Sequence, residues 1–311
     1  MEQSRKKGMA LMAVSALLWS ISGVLIKRIP WNPVVIAGWR SLFASLVFVC
    51  YFRRKRYRLV LTRQTLLCAL TLAGSMLLYI AACKLTTSAN AIILQSTSPV
   101  FIMLLDTVFL KHRYRRAEYA MVAVVLGGIG LFFLDQLTPG GLAGNLLALC
   151  SGFSLGGMFL LSGRLPDDQS AQSALLLGHA LTALAGIPVS LWVPTPFSGQ
   201  AAAAIVVLGV VQLGIPYVLY GIAVRLCTPL TCSLIGMLEP LFNPLWVLLF
   251  VGERPGVWAL VGGVIVLGAV CAWMLSNAAA ATRQQEAPAQ PEDITDSMSH
   301  SRQNMKSMAK M

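Results

Sequence analysis

The sequence predicts an all-α integral membrane protein of ten transmembrane helices, arranged as two inverted five-helix repeats. Three observations carry that prediction: a charge-poor, apolar composition, ten apolar runs of bilayer length, and a match between the two halves of the chain. The 311 residues are 57% hydrophobic and 12% charged, with a mean hydropathy of +0.72, whereas soluble domains carry about 25% charged residues. The apolar runs recur almost end to end, so no polar block is left that would make a soluble enzyme domain.

The formal charge of +12 would raise the question of nucleic acid in a soluble protein. Here the basic residues sit in short links between apolar runs, so the expected partner is the lipid bilayer and not a nucleic acid. The seven cysteines lie within or at the ends of apolar stretches, without CxxC spacing, and read as small packing residues. The first run has no A-x-A-like cleavage site before a soluble domain and is followed at once by another, which marks a retained helix.

A bilayer core of about 30 Å takes about 20 apolar residues per helix. Ten such spans are placed at 8–27, 31–52, 65–83, 88–110, 118–135, 143–161, 171–193, 201–223, 228–251 and 256–275. Residues 1–7 precede them, and the polar stretch 276–311 has too few apolar residues to pack and is expected to be a disordered tail. Orientation follows from Lys and Arg, which concentrate in cytoplasmic loops. With the N-terminus inside, the cytoplasmic side receives nineteen of them, including Arg5–Lys7, Arg53–Arg58, Lys111–Arg116, Arg164 and Arg225. The other side receives only Lys27, Arg28, Lys84 and Arg254, so both termini are expected to be cytoplasmic.

Shifting the chain by 141 residues aligns Leu72–Gly127 with Leu213–Gly268 without a gap, and pairs Tyr79 with Tyr220, Thr87 with Thr228, Pro99 with Pro240 and Arg113 with Arg254. A shift of 136 pairs Gly8, Ser15, Arg28 and Pro30 with Gly144, Ser151, Arg164 and Pro166. Two greasy segments matched by chance would not pair such residues in one register. The repeats run over 8–135 and 143–275, and because each holds five spans they enter the membrane in opposite directions. That inversion is a signature of secondary transporters.

The motifs that carry a family resemblance are Gly38-Trp39-Arg40, the run 85–90 entering the fourth span, Ser98-Pro99-Val100, Glu239-Pro240-Leu241, and Gly252-Glu253-Arg254 followed by Gly262-Gly263. On these the chain resembles the EamA domain of the drug/metabolite transporter superfamily, in two copies. The first copy departs from the pattern, with Lys111-His112 where the family usually shows Gly-Glu. The resemblance implies a multi-pass carrier of the plasma (inner) membrane that moves small metabolites, most often by export of amino acids or similar compounds.

Polar residues at membrane depth mark candidate sites, because each needs a reason to be there. Glu239 leads, midway along the ninth span, either as a proton-exchanging carboxylate or as an amine-binding one; the alternative is a protonated packing group. Helical spacing places Cys232, Gly236, Glu239, Asn243 and Trp246 on one face, and Pro240 and Pro244 are expected to free the carbonyls of Gly236 and Pro240. Ser98, the equivalent of Glu239, with Gln95 forms the other candidate wall, unless these groups are glue between helices. Tyr79 and Tyr220 end equivalent polar stripes, Thr71-Ser75-Tyr79 and Gln212-Pro216-Tyr220, and belong either to a pore seam or to an interfacial belt.

Arg40 needs a carboxylate, carbonyls or an anionic solute, and the resemblance implies a structural or gating role. His179 falls near the matching depth of the seventh span and is either a satisfied core group or a proton relay. Trp19, with Ser15 and Ser22, either touches the cavity or only packs. Asp106 is expected partly within the membrane; Asp135, His112 and Glu253 are expected at its edge or in solvent. The sequence holds no GxxxxGK[ST] loop, HExxH motif or TVGYG-like filter, so no ATP site, metal or cofactor is expected and coupling must come from a gradient or from the solute itself. Efflux of a small neutral or zwitterionic solute is the leading reading. An uptake permease for a metabolite or organic cation, and more remotely a membrane-embedded enzyme or scaffold, remain alternatives.

Overall fold

The computed structural model describes residues 2–111, 116–134, 139–236, 238–252, 256–258, 260–265, 267–269 and 271–272. The tail 276–311, Asp135, His112 and Glu253 lie outside the described residues. The helices are α1 (Glu2–Trp19), α2 (Ser22–Arg28), α3 (Pro33–Lys55), α4 (Arg63–Leu85), α5 (Ser88–Gln95), α6 (Ser98–Leu110), α7 (Arg116–Leu134), α8 (Pro139–Ser162), α9 (Asp168–Gly186), α10 (Gly199–Val207), α11 (Ile215–Leu226), α12 (Pro229–Ile235) and α13 (Leu238–Val251). A 3-10 turn follows α9, and a π-helix, Leu208–Gly214, joins α10 to α11.

Among the described residues eight helical stretches are long and apolar enough to cross a membrane, and Leu260–Ala269 forms a shorter apolar helix in the place of the tenth span. The start of α1 at Glu2 carries the first helix back through the residues expected to precede it. The polar links start the helices. Asn32 caps α3 ahead of Pro33, Thr62 and Thr65 form a reciprocal capping box on α4, and Asp167 and Ser198 cap α9 and α10.

Three spans expected as continuous helices are broken. The fourth parts at Ser96 and Thr97, between α5 and α6. Pro99 in the first turn of α6 has no N–H to give back to the previous turn. Local hydroxyls add to the turn there, Ser96 Oγ donating to Ile92 O at 2.6 Å and Thr97 Oγ1 to Leu94 O at 2.7 Å. The ninth parts between α12 and α13, just ahead of Pro240. Its Gly236 carbonyl, expected to be free, accepts from the Glu239 N–H at 2.9 Å. The first span breaks at Ser20 and Ile21, and there Asn243 Nδ2 donates to Ser20 O at 3.0 Å.

The halves share a contact pattern as well as a sequence pattern. Ser15 Oγ donates to Pro216 O at 3.0 Å, and the equivalent Ser151 Oγ donates to Ser75 O at 3.0 Å. Thr87 caps Asn90 N at 3.1 Å and Thr228 caps Thr231 N at 3.1 Å. Lys84 Nζ reaches Ile29 O at 2.7 Å, and Arg225 Nη1 reaches Leu165 O at 2.6 Å. Gly8 packs against Leu226 and Cys227 as Gly144 packs against Leu85 and Thr86. The halves are interlocked, since α1 runs along α11 and α8 along α4. Where α3 crosses α9 the backbones touch: a Cβ on Gly186 would sit 2.3 Å from Val34 O and 2.6 Å from Gly38 Cα. Small residues at such crossings substitute for the absent hydrophobic drive within lipid.

Candidate functional site

The broken helices and the π-helix converge on two small cavities. One, of about 30 Å³, is lined by Trp19, Arg40, Met76, Tyr79, Gln95, Leu155, Gln212, Leu213, Tyr217 and Glu239. The other, of about 20 Å³, is lined by Trp19, Gln95, Ser96, Ser98, Leu155, Phe159, Ser233, Gly236 and Glu239. Trp19, Gln95, Leu155 and Glu239 belong to both. Each has room for about one water, so neither admits a solute as it stands. A larger groove of about 370 Å³ beside α3 is lined almost wholly by apolar groups, without converging polar ones.

The lining is built from equivalent positions of the two halves. Trp19 faces the same space as its equivalent Leu155, and Met76 as its equivalent Tyr217. Gln95 with Gly236, and Ser98 with Glu239, do so in the second cavity. The equivalent residues differ in chemistry at every pair, so a symmetric frame carries an asymmetric site. Convergence of Ser98 and Glu239 on one cavity is what a carrier requires and what a scaffold with separate polar faces lacks.

Glu239 is partly accessible, and its carboxyl makes no hydrogen bond with any described residue. Gln95 is held from behind, with Nε2 donating to Ser151 Oγ at 2.6 Å and to Ser75 Oγ at 3.3 Å. Ser98 shares a hydrogen bond with Ser233 at 3.1 Å, and Tyr79 shares one with Ser22 at 3.1 Å. Tyr220 is fully buried outside both linings; its hydroxyl meets Ser162 at 2.5 Å and its ring packs edge-on against Phe159. Both tyrosines are buried within the helix bundle.

The shared face of Glu239, Asn243 and Trp246 lies against the break in the first span. Its first residue reaches the cavity, and the other two hold the break. Asn243 Nδ2 donates to Ser20 O and to Ser22 Oγ at 3.1 Å, and Trp246 Nε1 donates to Ser20 Oγ at 3.1 Å. Neither residue lines the cavities.

Arg40 is 1% exposed. Sequence reasoning assigns it a carboxylate, a carbonyl array or an anion; the structure gives it Gln212 Oε1 at 3.5 Å and Met76 Sδ at 3.3 Å, and leaves Nε without a partner. His179 is buried with both ring nitrogens unpartnered, its ring edge-on to Tyr217 at 5.0 Å. It lies behind the cavity, separated from it by Tyr217. Tyr217 and Ser233 escaped the sequence reading. The repeat alignment held the signal for Tyr217, since it is the equivalent of Met76 one turn from Tyr79. Among the described residues no three His, Cys, Asp or Glu side chains come together as a metal site.

Comparison with known proteins gives the site its setting. Two proteins of Archaeoglobus fulgidus, each described as an uncharacterized transporter, are similar to this chain. One is 25% identical over 276 residues, covering 84% of this chain and 94% of the relative; the other is 26% identical over 271 residues, covering 86% and 96%. A solved crystal structure shares the fold with a TM-score of 0.64 at 19% identity, covering 86% of this chain and 96% of its own. The model of the EamA-like transporter family matches twice, over residues 6–134 and 142–275. With an apolar multi-helix frame, a duplicated domain and two small polar cavities that share Glu239, the chain is a transporter and not an enzyme, and it belongs to the EamA-like transporter family.

Proposed function

We propose that this protein is a secondary-active exporter of amino acids or related small solutes, working by alternating access in the plasma (inner) membrane with both termini cytoplasmic. In this reading the chain crosses the bilayer ten times as two inverted repeats of five helices. The observation that carries it is the small central cavity, lined in part by equivalent positions of both halves and with Glu239 and Arg40 both in its wall. The discontinuous fourth and ninth spans support it, since broken helices are where carriers of this architecture place their binding sites. Recurrence of the Ser15, Thr87 and Lys84 contacts at Ser151, Thr228 and Arg225 supports the repeat.

Glu239 exchanges a proton or holds an amine, and Gln95 and Ser98 orient the solute. The deciding experiment is counterflow of amino acids in proteoliposomes, for the wild type and for Glu239→Gln, at two internal pH values. Saturable exchange whose pH dependence disappears in Glu239→Gln is the expected result. Exchange unchanged by the substitution would reduce Glu239 to packing.

A further inference from the structure

We propose that Arg40 and Trp19 form a carboxylate subsite in the central cavity, so that with Glu239 the site selects solutes bearing both a carboxylate and an amine over amides and simple amines. The proposal rests on the carrier reading above.

It starts from donors left over after every other polar group is accounted for. In the larger cavity Tyr79 is engaged by Ser22, Gln95 by Ser151 and Ser75, and Gln212 by Arg40 and by Trp19 O at 3.4 Å. Arg40 has five N–H donors. They meet one amide oxygen at the limit of hydrogen-bonding distance and one thioether, a weak acceptor, while Nε meets nothing. Trp19 Nε1 can only donate, and it too is buried without a partner. A guanidinium at membrane depth without an anion is costly to keep.

Among the described residues no direct ion pair joins Arg40 to Glu239, although both line the same cavity. A guanidinium and a carboxyl thus line a water-sized space without a hydrogen bond between them. A solute of reversed polarity completes both: its carboxylate accepts from the guanidinium fork and from the indole, and its ammonium donates to Glu239. Trp19 is held for this by Tyr217, whose ring lies 4.9 Å away. The π-helix places Gln212 where it meets both the guanidinium and the Trp19 carbonyl. The cavity admits about one water as it stands, so solute enters when the halves part.

The test uses the full chain in proteoliposomes, with counterflow competed by threonine, leucine and phenylalanine, each against its own primary amide and its decarboxylated amine. The free acids are expected to compete at least about tenfold better than either analogue. Trp19→Phe keeps the packing and Arg40→Lys keeps the charge. Each is expected to raise the half-saturating acid concentration by roughly 10- to 100-fold while leaving the amide unchanged, so that the preference collapses. A structural role for Arg40 would weaken acid and amide alike. Amides and amines exchanged as well as acids by the wild type, or a preference that survives in both variants, would overturn the subsite while leaving the carrier standing. No exchange of any of these solutes by a monodisperse wild type would overturn the amino-acid reading and the subsite with it.

Discussion

Arg164 Nη2 holds Asp106 Oδ1 at 3.1 Å, tying the end of α8 in the second half to α6 in the first. The equivalent arginine, Arg28, makes the converse tie, donating to Phe250 O at the end of α13 at 2.7 Å. Each joins the end of the leading span of one half to the fourth span of the other. On the proposed topology the first tie closes the cytoplasmic side and the second the outer side, and both are made at once. An exposed pair is worth about 0.2–1 kcal/mol, so Asp106→Asn should shift the balance toward the inward-open form by up to roughly fivefold. A faster reaction of a Ser98→Cys reporter with a cytoplasmic thiol reagent would register that shift. A rate unaffected by Asp106→Asn would show that the tie closes nothing.

Ser151 and Ser15 are equivalent but not equally burdened. Ser151 Oγ serves Gln95, Ser75 Oγ and Ser75 O, whereas Ser15 Oγ serves Leu11 O and Pro216 O. Removing Ser151 takes the shorter of two acceptors from the buried Gln95 amide and leaves only Ser75 Oγ at 3.3 Å, at a cost of about 1 kcal/mol. Ser151→Ala should therefore lower the thermal midpoint in detergent more than Ser15→Ala. Equal shifts would argue that Gln95 finds another partner.

Lys111 and Gly252 are equivalent C-caps, both left-handed, with φ of 54° and 75°. That conformation costs a residue with a Cβ about 1–2 kcal/mol, part of which glycine returns as lost chain entropy. Lys111→Gly is expected to stabilise by about 0.5–1 kcal/mol, read as a higher thermal midpoint. A lower midpoint would mean that the lysine side chain contributes more than its backbone costs.

Asp167 lies outside the membrane-spanning segments and accepts from Ser170 N at 2.6 Å, capping α9. The backbone and side chain of Ser170 hold its carboxyl below the ordinary carboxylate range. A carboxyl depressed on folding contributes its full stability above the unfolded pKa, about 4, and loses it as pH falls through the lower folded value. Asp167→Ala should cost about 0.5–2 kcal/mol at neutral pH. The gap from wild type should close in acid when thermal midpoints are compared from pH 7 downward. A gap constant to pH 3 would assign the loss to something other than the charged cap.

Much of this protein is written along the chain. Hydropathy locates the membrane segments because a bilayer accepts only backbone satisfied within a helix, and that requirement acts residue by residue. The duplication is a relation between stretches of sequence, and Pro99 and Pro240 announce local trouble in the fourth and ninth spans. Glu239, Ser98, Gln95, Trp19 and Arg40 stood out because polar or bulky groups at that depth need an explanation.

What only the tertiary structure decided is who meets whom. Asn243 and Trp246 share a face with Glu239, yet they hold the break at Ser20, because that break sets the Ser20 carbonyl and hydroxyl beside α13. Tyr217 enters the cavity beside the π-helix at Gln212, a local change of pitch that no apolar periodicity reports. Arg40 required a partner, and the sequence offered a carboxylate, carbonyls or an anionic solute; packing supplied Gln212 and Met76, 172 and 36 residues away. The physical reason is common to all three. In lipid the spacing of apolar residues decides that a helix crosses, but which buried polar groups are satisfied, and which are left facing an empty space, depends on neighbours that only the packing of distant helices brings together.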